Sequence, residues 1–198
     1  MPASSLVDVK HQLTFYGAYH DHPINVVIHM IFVPAILWSA LILGSHAPWP
    51  EFFPQLHLTL NDYFAFDLNW SGLWVVFVGL YYYLLEPTAA LIYTPEWLVI
   101  GLNAAAYARK PEGLKNALLL HVASWVAQFS GHFFAEGRSP ALLDNLLGAL
   151  VLAPFFVHLE ILFKLGYKPQ LRENIHQSVK QTIADIKTSE AQSKKKQL

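Results

Sequence analysis

Ten of the 198 residues are histidine, and several stand inside apolar runs where a titratable group is out of place. Their spacing sorts them. On an ideal helix each residue advances by about 100°, so positions 7 or 11 apart return to nearly the same face. In the apolar run over 116–134, His121, Gln128 and His132 fall within roughly 40° of one another, and Glu136 lies one turn further on. In the run over 26–44 and the residues just before it, His22, Asn25 and His29 share a face in the same way. Polar groups at membrane depth are costly and face the interior of a bundle, so the two seams are expected to face each other. Neutral imidazole is a common metal ligand whose second ring nitrogen is held by a carboxylate or carbonyl, a role open to Glu136 or Glu160. The chain has no cysteine, so thiolate catalysis and Cys-based metal sites are excluded and any metal falls to His, Asp, Glu or Asn. Two readings stand at this point: His20, His29 and His132 as a metal set, or histidines that pack helices through hydrogen bonds. His11, His46, His57 and His176 are read in the second way.

The elements that must position these residues are membrane helices. Apolar residues make up 54% of the chain and charged ones 14%, roughly half the charged share of an ordinary soluble domain. The net charge of −1 leaves no footprint for nucleic acid. The start lacks the basic, apolar and small-residue regions of a secretory signal, so the N-terminus is expected to be retained. The run over 26–44 is long enough to span a bilayer at 1.5 Å per residue, with Pro23 at its first helical position and Asp21 or His22 as cap. The stretch over 45–71, rich in Pro, Trp and Phe, reads as an interfacial loop without Lys or Arg. A second span is expected over 72–93, interrupted by Glu86 and Pro87, followed by a short or re-entrant helix over 96–108, with two tilted crossings as the alternative. Third and fourth spans are expected over 116–134 and 141–165, the last kinked at Pro154. The fold class is therefore an all-α, polytopic membrane helical bundle of about four to six hydrophobic helices. It divides into a membrane-embedded domain over 1–170 and a polar tail over 171–198, a frayed helix or disordered. Lys10, the Arg109, Lys110 and Lys115 group, and the basic residues from Lys164 onward place both termini in the cytoplasm by the positive-inside rule. Lys195, Lys196, Gln197 and Leu198 match a dilysine signal, an address read by a coat-protein receptor for return to the endoplasmic reticulum.

Three segments carry a resemblance: YHDHPINVVIHMIFVP at 19–34, WVAQFSGHFFAEGRSPAL at 125–142 and LAPFFVHLEILFKLG at 152–166. Together they resemble the membrane family of endoplasmic reticulum 2-hydroxy fatty acid dioxygenases, over roughly residues 8–170. The resemblance implies Fe(II)-dependent α-oxidation, in which a long-chain 2-hydroxy fatty acid and O2 give the acid one carbon shorter with CO2 and water, in phytosphingosine breakdown. No external reductant is needed, in keeping with the lack of a Gly-rich dinucleotide fingerprint. The family's Y-H, I-H and G-H-x-x-x-E fall on Tyr19 and His20, on Ile28 and His29, and on Gly131, His132 and Glu136. His20, His29 and His132 are thereby expected to bind Fe(II), with His22, His121 and His158 as alternatives. Asn25, Gln128 and Glu136 are expected to orient ligands or substrate. Arg138 is a candidate for the substrate carboxylate, or else a snorkelling interfacial cation.

Three rivals make different demands. A di-iron hydroxylase or desaturase needs H-x-x-H-H boxes, which do not occur here. A haem-carrying bundle needs axial histidines on facing helices and predicts a Soret band. A non-catalytic scaffold predicts that Ala at the three histidines leaves cellular lipids unchanged.

Overall fold

The computed structural model describes residues 6–137 and 146–196. Helix α1, Val9–Ala18, starts where the Asp8 carboxylate accepts the His11 N–H at 3.1 Å. Helix α2, Pro23–Ser45, has its proline in the first turn, and His22 is the cap, its Nδ1 accepting the Ile24 N–H. The stretch read as an interfacial loop contains a small antiparallel hairpin, β1 His57–Thr59 and β2 Ala65–Asp67, with His57 opposite Asp67. Its turn is set by Asn61, whose side-chain oxygen accepts the Tyr63 and Phe64 N–H groups.

Helices α3, Trp70–Leu85, and α4, Pro87–Ala108, break at Glu86 and lie antiparallel: the Trp97 indole donates to the Val75 carbonyl and Tyr83 bonds Thr94. This corrects the expected spans. The chain turns at Glu86–Pro87 and not near Glu96, and the element expected to be short is the longer helix, because Pro95 is carried inside it. A proline is tolerated there because neighbouring groups re-satisfy the backbone, and Thr94 Oγ1 donates to the Ala90 carbonyl one turn back. The turn that follows α4 consequently returns to the hairpin end, where Arg109 donates to Asp67 and Thr59. The Arg109, Lys110 and Lys115 group thus lies at the end opposite α1, not beside it as the charge argument assumed.

Helix α5, Gly113–Gly131, runs back along α2 and continues into a π-helical turn, His132–Glu136, closed by Gly137 at φ 64°. Helix α6, Leu146–Lys164, contains Pro154, and α7 is Pro169–Lys196. Where composition suggests a frayed or disordered tail, Ile175 and Val179 of α7 join the core and Leu171 and Ile183 pack against it. A Cβ on Gly17 of α1 would approach Val179 to 2.7 Å, so the two helices meet closely. The expected boundary at residue 170 falls next to the α6–α7 turn, which is held by Glu86: its carboxylate accepts the Tyr167 hydroxyl at 2.6 Å and pairs with Lys168 at 3.1 Å.

By length and composition α2 and α4 can each cross a membrane among the described residues, and α6 with α7 qualifies only as a pair bent by 118°. The run expected as a third span, now α5, falls short because it carries Asn116, His121, Ser124, Gln128 and Ser130. Ile24, Val27 and Ile31 on α2, Phe77, Leu80 and Leu84 on α3, and Leu118, Val122 and Val126 on α5 are exposed, an apolar exterior suited to lipid. Arg138, Gln197 and Leu198 lie outside the described residues.

Candidate metal centre and its cavity

Three separate segments bring His20, His29 and His132 together. His20 follows the end of α1, His29 lies in the second turn of α2, and His132 begins the π-turn at the end of the antiparallel α5. Their ring centroids are 4.3, 4.9 and 5.0 Å apart, and one nitrogen from each lies within 4.8 Å of the others.

The hydrogen bonds decide what these rings can do. His20 Nδ1 donates to the Tyr16 carbonyl at 2.7 Å and His29 Nδ1 to the Asn25 carbonyl at 2.9 Å, each a carbonyl four residues earlier. A carbonyl only accepts, so both rings are fixed with the proton on Nδ1 and a lone pair on Nε2. Those two Nε2 atoms stand 3.0 Å apart. Two neutral imidazoles so arranged have no proton to share, and their lone pairs repel. A cation between them reverses the sign, and two nitrogens at about 2.1 Å from one ion lie about 3.0 Å apart at a right angle and about 3.4 Å apart at the tetrahedral angle. His132 Nδ1 is buried without a hydrogen-bond partner, a second sign of an unmet interaction. The residues present therefore fit a divalent metal, and an all-imidazole set suits iron, zinc, copper or nickel.

Behind the triad, the Glu136 carboxylate accepts the His22 backbone N–H at 2.8 Å and the Asn25 amide at 3.1 Å. Asn25 is fully buried and its own carbonyl holds His29, so Glu136 reaches the triad through Asn25. A Cβ on Gly131 would stand 2.5 Å from Asn25 Oδ1, and this is why glycine precedes His132: α2 and α5 touch there. Gln128, one turn before His132, is buried with neither amide atom bonded. His22, His121 and His158 stay outside the triad. His22 caps α2, His121 bonds Ser39 and the Trp125 indole, and His158 stacks on Tyr93 at 4.4 Å.

Tyr16 is the residue that sequence reading missed. Its ring lies flat on His20 at 3.9 Å, and its carbonyl fixes that ring's tautomer. The i, i+4 spacing of Tyr16 and His20 was the available signal.

The histidines open into a cavity of about 370 Å³, within the range of small-molecule sites. One face of α2 forms its floor, from His29 through Val33, Leu37 and Ala40 to Gly44. Phe15 and Tyr16, Trp125 and Phe129, Pro154 and Phe156 wall it, and Gln128 is a rare polar member of the lining.

The family model described as 2-hydroxy-palmitic acid dioxygenase Mpo1-like matches residues 6–165. The chain belongs to the Mpo1-like family. It is 37% identical over 171 residues to the 2-hydroxy-palmitic acid dioxygenase MPO1 of Saccharomyces cerevisiae, covering 86% of this chain and 88% of that one. No solved structure matches. Membership of the Mpo1-like family makes this chain an enzyme of the dioxygenase class, and all three histidines and Glu136 lie inside the matched residues.

Proposed function

We propose that the protein is an Fe(II)-dependent α-oxidation enzyme of the endoplasmic reticulum membrane, acting on long-chain 2-hydroxy fatty acids in sphingolipid and phytosphingosine breakdown. The reaction balances without a reductant: RCH(OH)COOH and O2 give RCOOH, CO2 and H2O. The observation that carries the reading is the pair of Nε2 lone pairs 3.0 Å apart at the head of an apolar cavity. The relative's name supplies the substrate class.

His20, His29 and His132 would hold the metal, and the chemistry it supplies when bound is activation of O2 for cleavage of the C1–C2 bond. The protein's own part is to place that bond. The apolar walls take the acyl chain and exclude water, so the polar end of the substrate is left at the histidines. Gln128 has a free amide donor and acceptor there and can bond both the 2-hydroxyl and a carboxylate oxygen. Arg138 remains the proposed partner of the carboxylate. Asn25 and Glu136 hold His29 in its tautomer and do not touch substrate.

The membrane reading rests on the apolar α2 and α4. Lys10, Lys164, Lys168, Arg172 and Lys180 on the end that carries the triad outnumber Arg109, Lys110 and Lys115 on the hairpin end, which still favours cytoplasmic termini. The coat-protein receptor for the dilysine signal is proposed on the same footing.

The test is metal content and turnover of purified protein loaded anaerobically with Fe(II), beside the His20→Ala, His29→Ala and His132→Ala variants. Near-stoichiometric iron, with CO2 and the one-carbon-shorter acid formed, is expected in the wild type, and both should drop to background in each variant. Turnover that persists in the alanine variants would remove the proposal.

A further inference from the structure

The cavity has two ends, and only one of them holds the histidines. Its floor follows one face of α2 from His29 to Gly44, 15 residues at 1.5 Å each, or about 22 Å. At the far end α2 and α3 close on each other. A Cβ on Gly44 would stand 2.6 Å from Ser71 Oγ, and Ser71 spends its hydroxyl on the Leu41 carbonyl at 2.7 Å. Trp70 is fixed there by its indole bond to the Pro48 carbonyl at 2.8 Å and by Trp49 against its ring, with Trp74 one turn further along α3. The wall is made of closely approached backbone and of indole held by a hydrogen bond, with Trp70 at its rim 45% exposed.

We infer that this closed end, Gly44 with Ser71, Trp70 and Trp74, is a ruler that sets the length of acyl chain the enzyme accepts. The inference rests on the proposed reaction only for which end of the substrate lies at the histidines. A zigzag of C–C bonds of about 1.5 Å advances about 1.25 Å per carbon, so 22 Å admits roughly 17 carbons. Ala40 lines the floor four residues, or about 6 Å, short of Gly44. A bulky side chain there shortens the space by about five carbons, and removing the Trp74 indole lengthens it.

The test uses full-length protein in lipid nanodiscs, as wild type, Ala40→Phe and Trp74→Ala, with Ala40→Leu as the milder replacement where Ala40→Phe does not fold. Two readouts are taken over straight chains of 10 to 24 carbons: thermal stabilisation by unreactive fatty acids without metal, and turnover of the 2-hydroxy acids with Fe(II). The expected result is a wild-type optimum near 16 to 18 carbons, moved down by four or five carbons in Ala40→Phe and extended beyond 20 carbons in Trp74→Ala, in both readouts. Binding profiles that coincide in all three proteins would overturn the ruler, because the chain would then leave the cavity sideways. Length-dependent binding with no turnover at any length would instead leave the ruler standing and remove the proposed reaction.

Discussion

An imidazole that donates from Nδ1 has only Nε2 left to offer, and two local backbone bonds impose that choice on His20 and His29. The tautomers are thus set before any metal arrives, which lowers the reorganisation needed to bind one. The Glu136 carboxylate extends this control to the backbone that carries His29, since it holds both the His22 N–H and the Asn25 amide. Partners of this kind typically govern 10- to 100-fold in metal affinity. Glu136→Ala is accordingly expected to lower iron affinity by about that range, seen in anaerobic titration, while the three histidines remain in place. Glu136→Gln keeps an acceptor oxygen and should retain most of the affinity. Equal loss in both variants would mean that the charge of Glu136, and not its hydrogen bonds, is what matters.

At the scale of elements, an ion pair ties the hairpin to the bundle, beside the Asn103 amide that donates to the Tyr63 carbonyl at 3.0 Å. Arg109 donates to both oxygens of Asp67, at 2.6 and 3.2 Å, and His57 lies at 2.8 Å from the same carboxylate. Burial acts to raise the Asp67 carboxyl, but the bonds from Arg109 and His57 outweigh it and hold it below the ordinary carboxylate range. A depressed value contributes stability above the unfolded carboxylate value of about 3.9 and loses it as pH falls through the folded one. Melting of the wild type should therefore fall more steeply below about pH 5 than that of Asp67→Asn, whose melting temperature at pH 7 is already lower. Parallel pH profiles would dismiss the pair as a stabilising element. Much at this scale was legible in sequence. Pro23 at the start of α2 and the facing seams of α2 and α5 follow from local spacing, and each triad histidine sits in its own short motif. What escaped is tertiary. Pro95 reads as a boundary because a single chain does not show the neighbours that let a helix pass through it, and the hairpin was hidden in a loop although Asn61–Asp62 between HLT and AFD marks its turn. The stripe of α7 that docks on α1 was outweighed by the polar residues around it.

For the whole molecule, the cost of misplacing one break is large, because sidedness alternates with every crossing. A single crossing over 72–108 puts Arg109 at the end of the termini, whereas the antiparallel α3 and α4 return it to the hairpin, where it is bonded to Asp67. The chain has no cysteine, so single introduced cysteines can report this directly. Gln55→Cys and Glu112→Cys, both exposed at the hairpin end, are expected to react alike with a membrane-impermeant maleimide on sealed vesicles, and Lys10→Cys and Gln177→Cys, exposed at the other end, to react alike from the opposite side. From the excess of basic residues beside α1 and α7, the second pair is expected on the cytoplasmic side. Were Glu112→Cys to label with Lys10→Cys, α3 and α4 would not form two crossings. The ruler stands apart from that result, because Gly44 meets Ser71 at the hairpin end, where α3 begins whichever way the chain runs after it. Sidedness therefore depends on one turn at Glu86, where Tyr167 and Lys168 grip the carboxylate between the two helices.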